Sequence, residues 1–392
     1  MTEAFKTDVV NLVNGALTGK SCVALDGLDY HKLDKLAAEH GIVVLIYYGL
    51  ISAGLDPDSP EGINLFVKAC QYISVAEIQD EALGALLNEF KAHNIDYMPL
   101  KGAVLRNIYP EASMRTMSDI DILIKVEQYD RIKPVMQALG YTEECESDHE
   151  FIWKKGSVCV ELHKRLIPSY NKDYYAYFGD GWDKALPKGD GLFSFSDEDE
   201  LVYLLTHFAK HYRDGGIGIK HIADIKLFLD KKPELDKEYL EEQLRQLSLW
   251  EFYNNILDTI GVWFDGKQPT DVTKLITDTI FSSGAYGTAQ AHSLSGALKS
   301  RKSGESKSRI KRVFNTVFLP YANMCLLFPS LKKCPVLLPI FWIWRIIYTA
   351  LFKKGRLTKH YRTIKDLTPE NINEYERRLH SVGLEYRFEE DD

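Results

Sequence analysis

The sequence predicts an α+β protein, a mixed sheet in the middle of the chain flanked by N-terminal and C-terminal helical regions. Two observations carry this. Short strand-compatible runs, apolar at 97–100 and β-branched at 120–124, cluster in the middle of the chain with those at 141–145, 150–154 and 157–164. Apolar residues at helical spacing dominate the chain before and after that cluster. The 392 residues have room for one large or two modest domains, and 45% hydrophobic with 27% charged residues is ordinary for a globular protein. Four regions follow: an N-terminal helical region (1–95), a sheet-bearing core (96–195), a helical domain (196–290) and a basic, apolar C-terminal region with an acidic tail (291–392).

Residues 24–40 hold an amphipathic helical pattern, and 41–55 is apolar, broken by Gly49 and Gly54. The turn at 55–62 resets the chain. A helix over 64–93 then runs for roughly eight turns, its stripe of Leu65, Ala69, Tyr72, Ile73, Ile78, Leu83, Leu86, Leu87 and Phe90 reading as core. Beyond the first strands, 127–139 fits a helix closed by Gly140. Asp148, His149 and Glu150 read first as a surface turn between strands and only second as metal ligands, and Lys155-Gly156 as the turn before the last of those strands. Residues 171–191 are rich in Gly, Asp, Lys, Tyr and Trp, which suits a loop or lid, its aromatics reading first as core or surface packing and second as a stack for a base. Ser196 with Asp199 three residues on caps a helix over 200–212. The glycines of 214–218 make a flexible bend, 219–229 and 234–264 are helical, and a further helix spans 271–281. Residues 288–308, polar, serine-rich and basic, read as a surface loop.

The stretch 97–125 carries the chemistry. An apolar run ends at Lys101-Gly102, a short helical segment follows, and a loop crosses to Asp119 and Asp121 at the mouth of a β-branched strand. Residues i and i+2 of a strand share a face, so the two carboxylates point the same way. Like charges that close repel unless a cation lies between them, and hard divalent ions prefer oxygen ligands. A glycine at a helix start lets phosphate approach backbone amides. In 157–164, Val158, Val160 and Leu162 take one face while Cys159, Glu161 and His163 take the other. Glu161 is thus either a third carboxylate for the site or a salt-bridged strand residue. Together, Asp119, Asp121 and Glu161 suit two-metal phosphoryl or nucleotidyl transfer.

The order Leu100-Lys101-Gly102, Arg115, Asp119-Ile120-Asp121 and Glu161-Leu162-His163 resembles the DNA polymerase β-type nucleotidyltransferase superfamily. Within it, the chain is most similar to the bacterial group of uncharacterised nucleotidyltransferases (the NTP_transf_5 type). The likeness continues in His207 and His211 with GGIGIKHIADI at 215–225, and in the aromatic stretch 318–345. Lys101-Gly102 stands where the superfamily usually has Gly-Ser. The resemblance implies a polymerase-β-like mixed sheet with NTP and Mg²⁺, two ions expected, as ligands. It assigns metal binding and catalysis to Asp119, Asp121 and Glu161. Lys101, Gly102 and Arg115 would then hold phosphate, and His163 would orient a carboxylate at the nucleotide. The expected reaction moves an NMP group from an NTP to an unidentified acceptor hydroxyl. The alternatives are a nucleotide-binding or protein-interaction pseudoenzyme, and a membrane-associated transferase in surface-polymer biosynthesis.

Four further readings concern the rest of the chain. His207 and His211 share a helix face, and without an H-E-x-x-H acid or nearby thiols they suit the nucleotide or acceptor better than zinc. Lys220 either pairs with Asp224 one turn on or reaches the cleft to neutralise phosphate. Residues 299–365 carry 16 Lys and Arg against the single acid Glu305, a balance of +15 in a chain of net charge −8. Within them the apolar 335–352, interrupted by Arg345, is too polar and too short for a membrane span. It reads first as a buried helix, and otherwise as a segment in the interface of an anionic membrane. No nucleic-acid-reading motif is present. Six scattered cysteines and an N-terminus without an apolar signal region suit a cytoplasmic protein, peripheral to the inner face of the membrane in the second reading.

Overall fold

The computed structural model describes residues 1–302 other than 22 and 286, 318–352 other than 320, and 367–387. Thr2 and Asp29 cap α1 (Glu3–Thr18) and α2 (Tyr30–His40), each side chain accepting from an amide that the first turn leaves unpaired. The apolar run after Gly41 forms α3 (Val43–Ser52), which packs across α1. Gly49 permits the contact, since a Cβ there would overlap the Leu12 carbonyl. Ser59 caps and Pro60 opens the long α4 (Pro60–Ala92), at a position where proline's missing amide hydrogen costs nothing.

The sheet follows, with β1 (Tyr97–Pro99), a one-turn α5 (Gly102–Leu105), β2 (Ile120–Ile124), α6 (Tyr129–Ala138), β3 (Thr142–Glu146), β4 (Glu150–Lys155) and β5 (Val158–His163). After α7 (Lys172–Phe178) come β6 (Leu186–Gly189) and β7 (Leu192–Ser194). The seven strands lie in the order β3-β4-β5-β2-β1-β7-β6. The β2–β5 and β1–β7 pairs are parallel and the others antiparallel, so the sheet is mixed as expected. One face is core: Ile120, Ile122 and Ile124 of β2 and Val158, Val160 and Leu162 of β5 pack on Leu86 and Phe90 of α4 and on Ile132 and Met136 of α6.

The stretch 171–191 is therefore not a lid. Asp190 (φ 55°) and Gly191 (φ 76°) form a two-residue hairpin turn of the kind that matches strand twist, and β7 extends the sheet beside β1.

The helical part runs through α8 (Asp197–Asp214), capped by Ser196, then α9 (Lys220–Lys231), α10 (Lys237–Gln246), α11 (Trp250–Phe264) and α12 (Asp271–Ser283). The expected single helix over 234–264 is two, parted at Ser248, whose φ of 56° no helix accommodates. The glycine-rich link between α8 and α9 is a close-packed elbow and not a flexible bend. A Cβ on Gly216 (φ 115°) would overlap Ser283, and one on Gly218 would stand 3.0 Å from the Ala285 α-carbon.

The chain divides into two compact units, Met1–Gly287 together with the chain from His380, and Thr288–Leu379. The second holds α13 (Ala289–Lys302), α14 (Tyr321–Leu327), α15 (Leu338–Phe352) and most of α16 (Pro369–Ser381). Two expectations change here. Residues 289–302 are helical where a loop was expected, with Lys302 bonded to Glu376 at 2.8 Å, while 303–308 lie outside the described residues. The apolar 335–352 is only half covered. Leu338, Phe341 and Trp342 pack on Met324, Cys325 and Leu331, whereas Ile340, Ile343 and Trp344 are exposed. Among the described residues no helix is long and apolar enough to cross a membrane.

Candidate active site

Parallel pairing of β2 with β5 sets Asp121 directly opposite Glu161. Because the alternate residues of both strands are committed to the core, Asp121, Glu161 and His163 are turned to the other face. One ligand atom from each of these three lies within 4.8 Å of the others. Asp119 stands just before β2, its Oδ1 accepting from Ser118 Oγ at 3.0 Å, and lines the same cavity.

That cavity, of about 300 Å³, has two walls. The sheet wall carries Lys101, Gly102, Asp119, Asp121, Glu161 and His163. The helical wall carries His207, Lys210 and His211 of α8 with Lys220 and His221 of α9. All ten residues singled out from the sequence line it, Arg115 included. A second cavity of about 460 Å³ shares Met117, Ser118, Lys220 and Ala285 with the first, and reaches Gln71, Tyr72 and Gln79 of α4.

Several of the ten do something other than the sequence suggested. Lys101 Nζ donates to Asp121 Oδ1 at 2.7 Å, so an ammonium already stands on the carboxylate. His163 Nε2 meets the same oxygen at 2.7 Å, holding the carboxylate from the other side. Arg115 is buried and donates through Nε to Asp224 Oδ1 at 2.6 Å, an oxygen that also accepts from Tyr109 at 2.8 Å. The expected Lys220–Asp224 pair is thereby displaced, and Lys220 Nζ instead reaches the Thr116 carbonyl at 3.4 Å. Over Gly102 lies the Met117 side chain, whose Cγ and Sδ a Cβ would meet at 2.6 Å. His207 and His211 share a 3.0 Å contact between their Nε2 atoms.

The cavity's electrostatics follow from burial of unlike charges at short range. Burial, reinforced by the neighbouring Asp119 and Asp121 charges, pushes the Glu161 carboxyl up to about 9. Asp119 is raised too, by burial and then by Asp121. Burial would also raise Asp121, but the Lys101 ammonium and the His163 contact hold it below the ordinary carboxylate range. On the helical wall, burial lowers Lys210 and Lys220 to about 8 each, helped by Lys101 and Arg115 respectively. His207 and His221 are driven well below their usual range by burial and, next, by His211 and Lys220 respectively.

Three clustered carboxyls, of which Lys101 neutralises one, form an oxygen-rich donor set that a divalent cation would relieve. Asp121 and Glu161 with His163 fit such an ion. Sequence reasoning missed Lys210 and His221, and read His149 and Glu150 as a surface turn. Both of the latter line the cavity, with His149 Nε2 at 2.9 Å from Glu150 Oε2. Lys210 was legible as the residue one turn beyond His207 on the same helix face. Glu150 faces His163 across β4 and β5, a pairing visible only once the register is known.

Comparison with curated proteins and with solved structures gives no match. A family model described as an uncharacterised nucleotidyltransferase matches residues 26–265, which takes in α2 to α11 with every strand of the sheet and all of the cavity's lining but Ala285. The chain belongs to this uncharacterised nucleotidyltransferase family, and is an enzyme of the nucleotidyl-transfer class.

Proposed function

We propose that the protein transfers an NMP group from an NTP to a hydroxyl-bearing acceptor with release of pyrophosphate, and that Mg²⁺ is its cofactor. The observation that carries this is the in-register pair Asp121–Glu161 beside Asp119, facing a wall of cationic and imidazole groups across one cavity. Carboxylates on one side and Lys210 and Lys220 on the other suit a triphosphate whose charge must be met from both. Asp119, Asp121 and Glu161 would hold Mg²⁺, which when bound polarises the phosphoryl oxygens and neutralises charge on the departing group.

In the reaction the acceptor hydroxyl oxygen bonds to the α-phosphorus as the bond to the bridging oxygen of the β-phosphate breaks. The hydroxyl proton passes to water, and Glu161 would complete the cation site at the attacking hydroxyl. Lys220 and Lys210 neutralise the leaving pyrophosphate. His163 fixes Asp121, and Arg115 fixes the Asp119 approach by anchoring the loop before it on Asp224. The second cavity adjoins this point at Met117 and Ser118, which gives an acceptor room beside the nucleotide.

Titration calorimetry with Mg·ATP and Mg·CTP, followed by a pyrophosphate-release assay over hydroxyl acceptors, tests the reading. Turnover should fall at least about 10³-fold in Asp121→Asn with nucleotide binding reduced far less. Nucleotide binding with no pyrophosphate from any acceptor would overturn it in favour of a chain that only binds nucleotide.

A further inference from the structure

We propose that the outer face of α15 docks on an anionic membrane surface and lies in the plane of its interface. Ile340, Ile343, Trp344, Ile347 and Tyr348 follow the spacing i, i+3, i+4, i+7, i+8, which places them in one stripe along the helix. All five are between 42% and 61% exposed. The opposite side is already committed: Leu338, Phe341 and Trp342 pack on the small core of the second unit, and Trp342 Nε1 donates to the Leu319 carbonyl at 2.8 Å. A helix packed on one side ordinarily shows a polar face to water on the other, and this one shows isoleucine, tryptophan and tyrosine.

Charge selects the occupant. By sequence, Arg345 lies within the helix and Lys353, Lys354 and Arg356 follow it in a stretch, 299–365, of +15, a charge complementary to anionic lipid and not to a second copy of the same stretch. Indole and phenol rings favour the headgroup level, where one end is apolar and the other wet. The fifteen described residues of the helix reach about 22 Å against the roughly 30 Å of a hydrocarbon core, and Arg345 interrupts their apolar run, which suits a helix lying on the membrane. The nucleotide site is not needed for this proposal.

The test is flotation of the full chain with neutral phosphatidylcholine vesicles and with vesicles containing about 30 mol% phosphatidylglycerol. The chain should float with the anionic vesicles, and about 0.5 M salt should release it. The double variant Ile343→Glu/Trp344→Glu should lower the bound fraction about tenfold or more, with the thermal melt unchanged. If that variant does not fold, Ile340→Ser/Ile347→Ser makes the same comparison with smaller side-chain changes. The proposal is overturned if the chain floats with neither vesicle, or if a folded stripe variant floats like the parent. It is equally overturned if light scattering finds a dimer that the stripe variants dissociate, which would assign the stripe to a second copy.

Discussion

Lys101 sits with φ at 50°, a region that side chains rarely adopt, and its buried ammonium bonds Asp121. A non-glycine residue held there costs on the order of 1–3 kcal/mol, and such strain persists where the surroundings enforce it. Two variants separate backbone from charge. Lys101→Met and Lys101→Gly should lose turnover alike, by about 10²-fold or more. Urea unfolding should find the glycine variant about 1 kcal/mol more stable than the methionine variant, because glycine accepts this φ. Glu200 gives a prediction about pH. It is buried in α8, its Oε1 has no hydrogen-bond partner among the described residues, and burial, aided by Asp197, raises its carboxyl from 4.5 to about 7. The folded state therefore holds the proton more tightly than the unfolded chain. That contribution is complete below about 4.5 and lost as pH rises through about 7. Glu200→Gln should be near neutral in stability at pH 4 and stabilising by about 2 kcal/mol at pH 8, measured by denaturant midpoints.

At the scale of elements, packing overrides local preference in several places. Gly49 lies inside α3, where alanine would favour the helix by about 1 kcal/mol. Its missing Cβ, however, would overlap the Leu12 backbone, which cannot swing aside as a side chain can. Gly49→Ala should therefore destabilise the protein, by about 1–3 kcal/mol in urea melts. The β2 and β5 strands were readable from their alternation, which also told which side chains leave the core. Their parallel pairing was not, since residues 120–124 and 158–163 are joined through a helix and two intervening strands. The hairpin at 190–191 was legible and passed over: Asp-Gly is among the strongest local hairpin signals, but the flanking runs are short and lack clear alternation.

For the molecule as a whole, the end of the described chain returns to the helical part of the first unit. The Arg213 guanidinium lies between the Tyr174 and Tyr386 rings at 4.4 and 4.3 Å and donates to the Glu385 carbonyl at 2.9 Å. Tyr386 in turn donates to the Arg213 carbonyl at 2.7 Å. This closes the base of α8, whose middle carries His207, Lys210 and His211. Tyr386→Ala should cost about 3 kcal/mol, and Tyr386→Phe, which keeps the ring over the guanidinium, about 1 kcal/mol, by thermal or denaturant unfolding. A sequence reading of an acidic tail does not foresee this, because the acids at 389–392 mask the docking residues just before them.

The sequence by itself determined the α+β class, the long helix before the sheet, the strand faces and the residue types that gather in the cavity, because periodicity and capping act within a few residues of chain. Tertiary structure alone decided who pairs with whom inside that cavity. Asp224 went to Arg115 and not to its helical neighbour Lys220, Lys101 came to rest on Asp121, and Glu150 joined the wall behind His163. A buried charge takes the partner that the packed backbone brings nearest, and that distance exists only after residues far apart in the chain have been folded against each other.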